Sequence, residues 1–239
     1  MNSVGLFGLL GFGPDGWGEA LLVGAAMTLA VAAGGFLVGM VIGAFGAWAK
    51  LTGGPVIRTF ADFYTTVLRG VPDLLVIYLF YFGGTAAVSA LARTFGADGY
   101  IGMPGFVAGV LAMGVVSGAH QTEVFRGAFR VVSRGEIEAG RAVGMGTTLR
   151  FRRIVAPLVL RHALPGLSNV WQLVLKESAL ISVTGLVELL RQSQVGAGST
   201  GQPFDFYIAA AMLYLAITTV SGWTLRRAER HYTRGARRG

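Results

Sequence analysis

Two groups of polar residues interrupt an otherwise oily chain, and their types limit the chemistry open to it. The first is the run Glu136-Ile137-Glu138-Ala139-Gly140-Arg141-Ala142-Val143-Gly144-Met145-Gly146, which continues through Phe151-Arg152-Arg153-Ile154-Val155-Ala156-Pro157 to Pro165. The second is a set of ionisable residues in or beside apolar stretches: Asp73, Glu123, Lys176 and Glu177. Ionisable groups in hydrocarbon are costly and usually face a cavity or a partner, so these four are candidates for a solute path or gate. With 3 histidines, no cysteine and no clustered carboxylates, the chain offers no pattern for hydrolysis, thiol chemistry or a metal centre. His120 has no second ligand at i+4 and fits a helix–helix hydrogen bond better than a metal site. Neither lysine follows a glycine, so there is no Gly-x-x-x-x-Gly-Lys-[Ser/Thr] loop to cradle a nucleotide. No cofactor is expected on this chain, which reads as a non-enzyme.

The elements that position these residues follow from composition. Of 239 residues, 53% are hydrophobic and only 13% charged, with a mean hydropathy of +0.60. A soluble domain carries roughly twice that charge. Apolar runs long enough to cross a bilayer predict an all-α integral membrane protein with five spans, about 20–49, 72–92, 105–126, 165–187 and 206–225. These form one membrane domain, 20–225, preceded by an external segment 1–19 and followed by a basic tail 226–239. The external segment has no Lys or Arg before its apolar residues, against a cleaved signal peptide. Residues 94–104 and 196–201, rich in glycine, read as external loops. No internal repeat is evident.

Charge sets the direction. Lys50, Arg58 and Arg69 follow span one. Arg126, Arg130, Arg134, Arg141, Arg150, Arg152, Arg153 and Arg161 lie between spans three and four. Arg226, Arg227, Arg230, Arg234, Arg237 and Arg238 follow span five. These 17 of the 20 Lys and Arg fall on one side if the N-terminus is outside. The positive-inside rule then puts the polar loop 134–161 and the C-terminus in the cytoplasm. It also accounts for the net charge of +8 without nucleic acid.

Gly35, Gly39 and Gly43 recur at four-residue spacing in span one, and Gly105, Gly109, Gly114 and Gly118 punctuate span three. Small residues on one face let membrane helices approach closely, and internal packing is the expected use. In the loop, Glu136 and Glu138 suit the positive end of a short helix. Ala139, Ala142 and Val143 give it an apolar face, and Gly144 and Gly146 permit a bend. Phe151, Ile154 and Val155 begin a second amphipathic segment. The residues fit two readings: a helix seated in a partner's groove, or one lying on the membrane surface. Lys176 and Glu177 fall 11–12 residues into span four, near mid-membrane, and as neighbours point to different partners. Glu177 suits a cationic or zwitterionic solute, or a buried structural pair. Glu123 suits a local pair with Arg126, or a gate. Asp73 after Pro72 suits a helix start more than a solute contact.

The loop resembles the EAA loop of ATP-binding-cassette (ABC) importer permeases. Glu138-Ala139-Gly140 stands where that pattern has Glu-Ala-Ala, Gly144 at its glycine, and Ile154 and Pro157 at its later Ile and Pro. Gly140 departs from the pattern and is expected to loosen the helix by up to about 1 kcal/mol. Tyr64-Thr65-Thr66-Val67-Leu68-Arg69-Gly70-Val71-Pro72-Asp73, Thr122-Glu123-Val124-Phe125-Arg126-Gly127-Ala128-Phe129 and Lys176-Glu177-Ser178-Ala179-Leu180-Ile181-Ser182 resemble motifs of the polar amino-acid group. The chain is similar to Q-type permeases of histidine/lysine/arginine/ornithine and opine importers.

That resemblance implies the type I ABC importer permease fold in a bacterial inner membrane. The partners it implies are a second, M-type permease, two ATPase subunits that use the ATP, and a periplasmic solute-binding protein. The loop would be the coupling helix in the ATPase groove. An ion-coupled transporter working without an ATPase is the rival reading, and it leaves the large polar loop unexplained.

Overall fold

The computed structural model describes residues 11–13, 16–96 and 101–233. Most of segment 1–19, the turn residue Gly99, and the tail arginines Arg234, Arg237 and Arg238 lie outside the described residues. Everything regular among the described residues is helical. Eight helices carry the fold: α1 (Gly18–Thr52), α2 (Pro55–Gly70), α3 (Asp73–Thr94), α4 (Gly105–Val131), α5 (Arg134–Ala142), α6 (Ala156–Glu177), α7 (Leu189–Thr200) and α8 (Pro203–Thr233). A π turn, Leu79–Gly83, interrupts α3. One helical turn, Thr147–Arg150, and a second π turn, Phe151–Val155, lead into α6, and a 3-10 segment, Ser178–Thr184, leaves it.

Helices α1, α3, α4, α6 and α8 each have 22 residues or more and follow the order read from the sequence. Among the described residues, α1, α3 and α8 are long and apolar enough to cross a membrane. Helix α4 and helix α6 are long enough at ~1.5 Å per residue but carry more polar side chains. They hold much of the buried core, with Ala112, Met113, Val170, Val174 and Leu175 beside Val31, Ala32 and Ile77 of α1 and α3.

Several boundaries differ from expectation: α4 runs on to Val131 and α8 to Thr233, past the expected 126 and 225. Helix α6 begins at Ala156, takes Pro165 into its interior and ends at Glu177, where 165–187 had been expected. Lys176 and Glu177 therefore sit at the end of a helix and not in the middle of one. The Gly-rich stretch 196–201 is mostly helix, because α7 runs to Thr200 and stops at Gly201, whose φ is +70°. Gly196 lies under the Phe206 ring, so a missing side chain there serves packing and not a loop.

Helix α1 lies along α4 through its glycines. A Cβ on Gly35 would come 2.6 Å from Met113 Cβ, and one on Gly43 would come 2.6 Å from Gln121 Cβ. From the other side, a Cβ on Gly118 would meet Ile42 Cγ2 at 2.8 Å. Backbones this close bring donors to carbonyls across the seam. Ser117 Oγ donates to Gly35 O at 3.2 Å, and Gln121 Nε2 donates to Phe36 O at 3.1 Å. The glycine stripe is thus an internal packing seam.

Filling that seam should be costly. Gly43→Leu is expected to destabilise by about 2 kcal/mol or more, since overpacking a tight contact forces backbone shifts. Gly54→Ala, where a Cβ meets nothing within 4 Å, should stay within ~0.5 kcal/mol. Thermal unfolding in detergent compares them; equal midpoints would show that the seam is not closely packed.

Candidate functional site

The polar loop forms a short helix with both ends closed. Ser133 Oγ accepts from the Glu136 backbone N–H at 3.2 Å, and Glu136 Oε2 accepts from the Ser133 N–H at 3.2 Å, a reciprocal capping box. At the far end Gly144 adopts φ +77°. Its N–H donates to Arg141 O and that of Met145 to Gly140 O, the paired bonds of a glycine-terminated helix. Gly146, at φ −63°, needs no such freedom.

Of α5 only Gly140 is buried. A Cβ there would meet Ile154 Cδ1 at 2.7 Å and the Arg150 stem at 3.3 Å. The glycine that departs from the Glu-Ala-Ala pattern therefore makes room for Ile154, and the expected loosening is offset by that contact. Glu138, Ala139, Ala142 and Val143 point outward, with Val143 71% exposed. Pro157, also exposed, stands in the first turn of α6. Of the predicted loop residues, Gly140 and Ile154 touch, while Glu138, Ala139, Gly144 and Pro157 share the outer surface.

The structure brings Asp73 and Glu177 together. Their carboxyl groups lie within electrostatic range of each other, at the start of α3 and the end of α6. Asp73 stands in the first turn of α3, the helix-start position read from the sequence. Lys176 is exposed on another face. His120 is half-buried within electrostatic range of Arg69 and Asp73.

Glu123 belongs to a larger network that the sequence reading missed. Lys50, 8% exposed at the end of α1, directs its ammonium to three oxygens: Thr65 Oγ1 at 2.6 Å, Glu123 Oε1 at 2.6 Å and Asp62 Oδ1 at 2.7 Å. The other Glu123 oxygen pairs with Arg126, as its spacing suggested. One lysine thus satisfies its three donors while tying α1 to α2 and α4. The hydrogen bond from Lys50 holds the Asp62 carboxyl below its ordinary range. A cavity of about 370 Å³ lined by Lys50, Thr65, Thr66, Arg69, Gly70 and Glu123 opens beside it.

A second buried carboxylate, Glu188, also went unread. It is 1% exposed and caps α7, accepting from Leu190 N at 2.8 Å and Arg191 N at 2.7 Å. Tyr214 OH donates to it at 3.1 Å and Thr28 Oγ1 at 3.4 Å, joining α1 and α8 to the same point. The available signal was an acidic residue directly before the Leu-Leu start of a helix.

With this geometry in view, comparisons place the chain among known proteins. The family described as "Binding-protein-dependent transport system inner membrane component" matches residues 35–234. The octopine transport system permease protein OccQ of Rhizobium radiobacter is 60% identical over 231 residues, covering 97% of this chain and 98% of OccQ. The histidine/lysine/arginine/ornithine transport system permease protein HisQ of Salmonella typhimurium is 40% identical over 223 residues, 93% and 97% of the two chains. A crystal structure of an amino acid ABC transporter with histidines aligns at a TM-score of 0.74 and 31% identity, over 90% of this chain and 95% of that one.

Two tests follow from the carboxylates. Glu188→Ala should cost about 1–2 kcal/mol from loss of the cap, with Glu188→Gln intermediate, read as midpoints of thermal unfolding in detergent. A Glu188→Ala midpoint equal to wild type would remove the role assigned to this residue. For Asp62 the folded-state pKa lies below that of an unfolded aspartate. Its stabilising share is therefore present above the unfolded value and lost as pH falls through the folded one. Asp62→Asn should lower stability at neutral pH and flatten that acid limb; parallel pH profiles would contradict the pairing.

Proposed function

The chain belongs to the binding-protein-dependent transport system inner membrane component family, and we propose that loop 134–161 is where it meets its ATPase. It is a permease subunit of an ATP-driven importer of amino acids or opines, a transmembrane component and not a catalytic one. A transporter working without an ATPase is not favoured by any of these relatives.

The observation that carries the loop assignment is the construction of α5. A nine-residue helix is closed at both ends and seated on Ile154, yet presents Glu138, Ala139, Ala142 and Val143 to the outside. A rigid, pre-formed ridge of small residues suits insertion into a partner's groove, because little entropy remains to be lost on docking. Gly144, at positive φ, fixes the exit angle.

In this proposal α1, α3, α4, α6 and α8 span a bacterial inner membrane with the N-terminus outside. Five helices of sufficient length and the one-sided distribution of Lys and Arg support it. The complex holds a second permease of the M-type, two ATPase subunits that supply ATP hydrolysis, and a periplasmic solute-binding protein. The solute is an opine or a basic amino acid, after the transport systems to which OccQ and HisQ belong. The facing carboxyls of Asp73 and Glu177 suit a cationic amine or guanidinium on its way through.

Gly144→Arg should leave the protein in the membrane but reduce ATP-driven uptake of labelled octopine or arginine by about tenfold or more, since a non-glycine residue at positive φ costs roughly 1–2 kcal/mol. Copurification of the ATPase should fall in parallel. Gly144→Asn, which tolerates this backbone, should retain most uptake. Normal uptake and normal ATPase recovery with Gly144→Arg would exclude the loop as the coupling element.

A further inference from the structure

Helix α2 is amphipathic in the reverse sense of a soluble helix. Its polar stripe, Arg58, Asp62, Thr65 and Arg69 at helical spacing, is the face from which Asp62 and Thr65 meet Lys50. Its apolar stripe is turned away from the protein: Val56 is 66% exposed, Ile57 51%, Phe60 71% and Phe63 67%. The stripe is continuous in character with the adjoining end of α1, where Phe45 is 67% and Trp48 62% exposed. An exposed tryptophan at the end of an apolar span marks the level of a membrane interface. A helix whose oily face points outward at that level lies in the interface.

Beside the helix is a cavity of about 210 Å³ lined by Lys50, Leu51, Arg58, Asp62, Arg126 and Arg130. Lys50 is committed to its three oxygens, and Arg126 gives its Nε and one Nη to Glu123. Arg58 and Arg130 have no side-chain hydrogen-bond partner among the described residues, and both are exposed. Four cationic groups against two carboxylates, at the level of the interface, leave an unmet demand for negative charge.

We propose that this cavity binds the phosphate of an anionic phospholipid, with Arg58 and Arg130 as its principal contacts. The level of α2 commits the occupant to a lipid, because its outward apolar stripe and Trp48 set the cavity where headgroup phosphates lie. Occupancy would brace α2 against α4 through the same cluster that holds Lys50. The proposal requires only that the chain spans a membrane and is independent of how α5 is used.

The test uses the full chain, purified with the subunits that accompany it and exposed to equal amounts of phosphatidylglycerol and phosphatidylcholine. Native mass spectrometry reads the lipid retained. Phosphatidylglycerol should be enriched about thirtyfold, at about 1 kcal/mol for each of two basic contacts near the surface, and the preference should weaken with salt. Arg58→Gln with Arg130→Gln should abolish the preference, whereas Arg58→Lys with Arg130→Lys should keep it, separating lost charge from lost folding. Equal retention of both lipids by the wild type, an unchanged preference in the double Gln variant, or displacement of phosphatidylglycerol by inorganic phosphate at an ionic strength where chloride leaves it bound would overturn the proposal. So would complete disulfide capture of a Phe60→Cys variant by another subunit, which would show protein on this face.

Discussion

Where α1 and α4 run side by side, no side chain separates their backbones at Gly35, Gly39 and Gly43, and the rest of the bundle is arranged around that fact. In lipid, apolar residues gain little by leaving their surroundings, so association rests on close packing and on hydrogen bonds made possible by proximity. The seam supplies both: Ser117 and Gln121 of α4 reach main-chain oxygens of α1 only because no side chain keeps them apart. With α1 fixed against α4, its two ends become anchor points for everything else.

Each anchor is a buried ionisable group. At one end Lys50 collects α2 and α4; at the other, Glu188 collects α1, α7 and α8. Both groups have several partners, the condition under which a buried charge is tolerable. Neither adds much as an isolated attraction. Their value is geometric, because an ion with several fixed partners permits few alternative arrangements of the helices that carry them.

Much of this was legible in the sequence, and the boundary of legibility has physical causes. Helix existence and order were readable because long apolar runs have few other fates. The glycine spacing announced a seam, and Gly144 announced the bend that ends α5. The end of α6 was misplaced because Pro165 reads as a helix start, and inside a packed bundle it is carried within the helix instead. Lys50 looked like one more basic residue after a span. Its importance depends on Asp62, Thr65 and Glu123 arriving from separate helices, which no local pattern encodes. Asp73 and Glu177 were each noted, but their meeting spans more than one hundred residues of sequence.

Pro165 carries a mechanical consequence. Helix α6 is a single rod of 22 residues, ~33 Å long at ~1.5 Å per residue. Its first turn adjoins the loop anchored by Ile154, and its last residue, Glu177, faces Asp73. A uniform helix would hand a push at one end to the other undiminished. Proline omits the bond to the Arg161 carbonyl and crowds that turn, so the rod is most compliant just short of its midpoint. A tilt imposed near Pro157 is therefore shared between rigid displacement and bending at Pro165. The compliance of that one turn sets how much of such a tilt reaches Glu177.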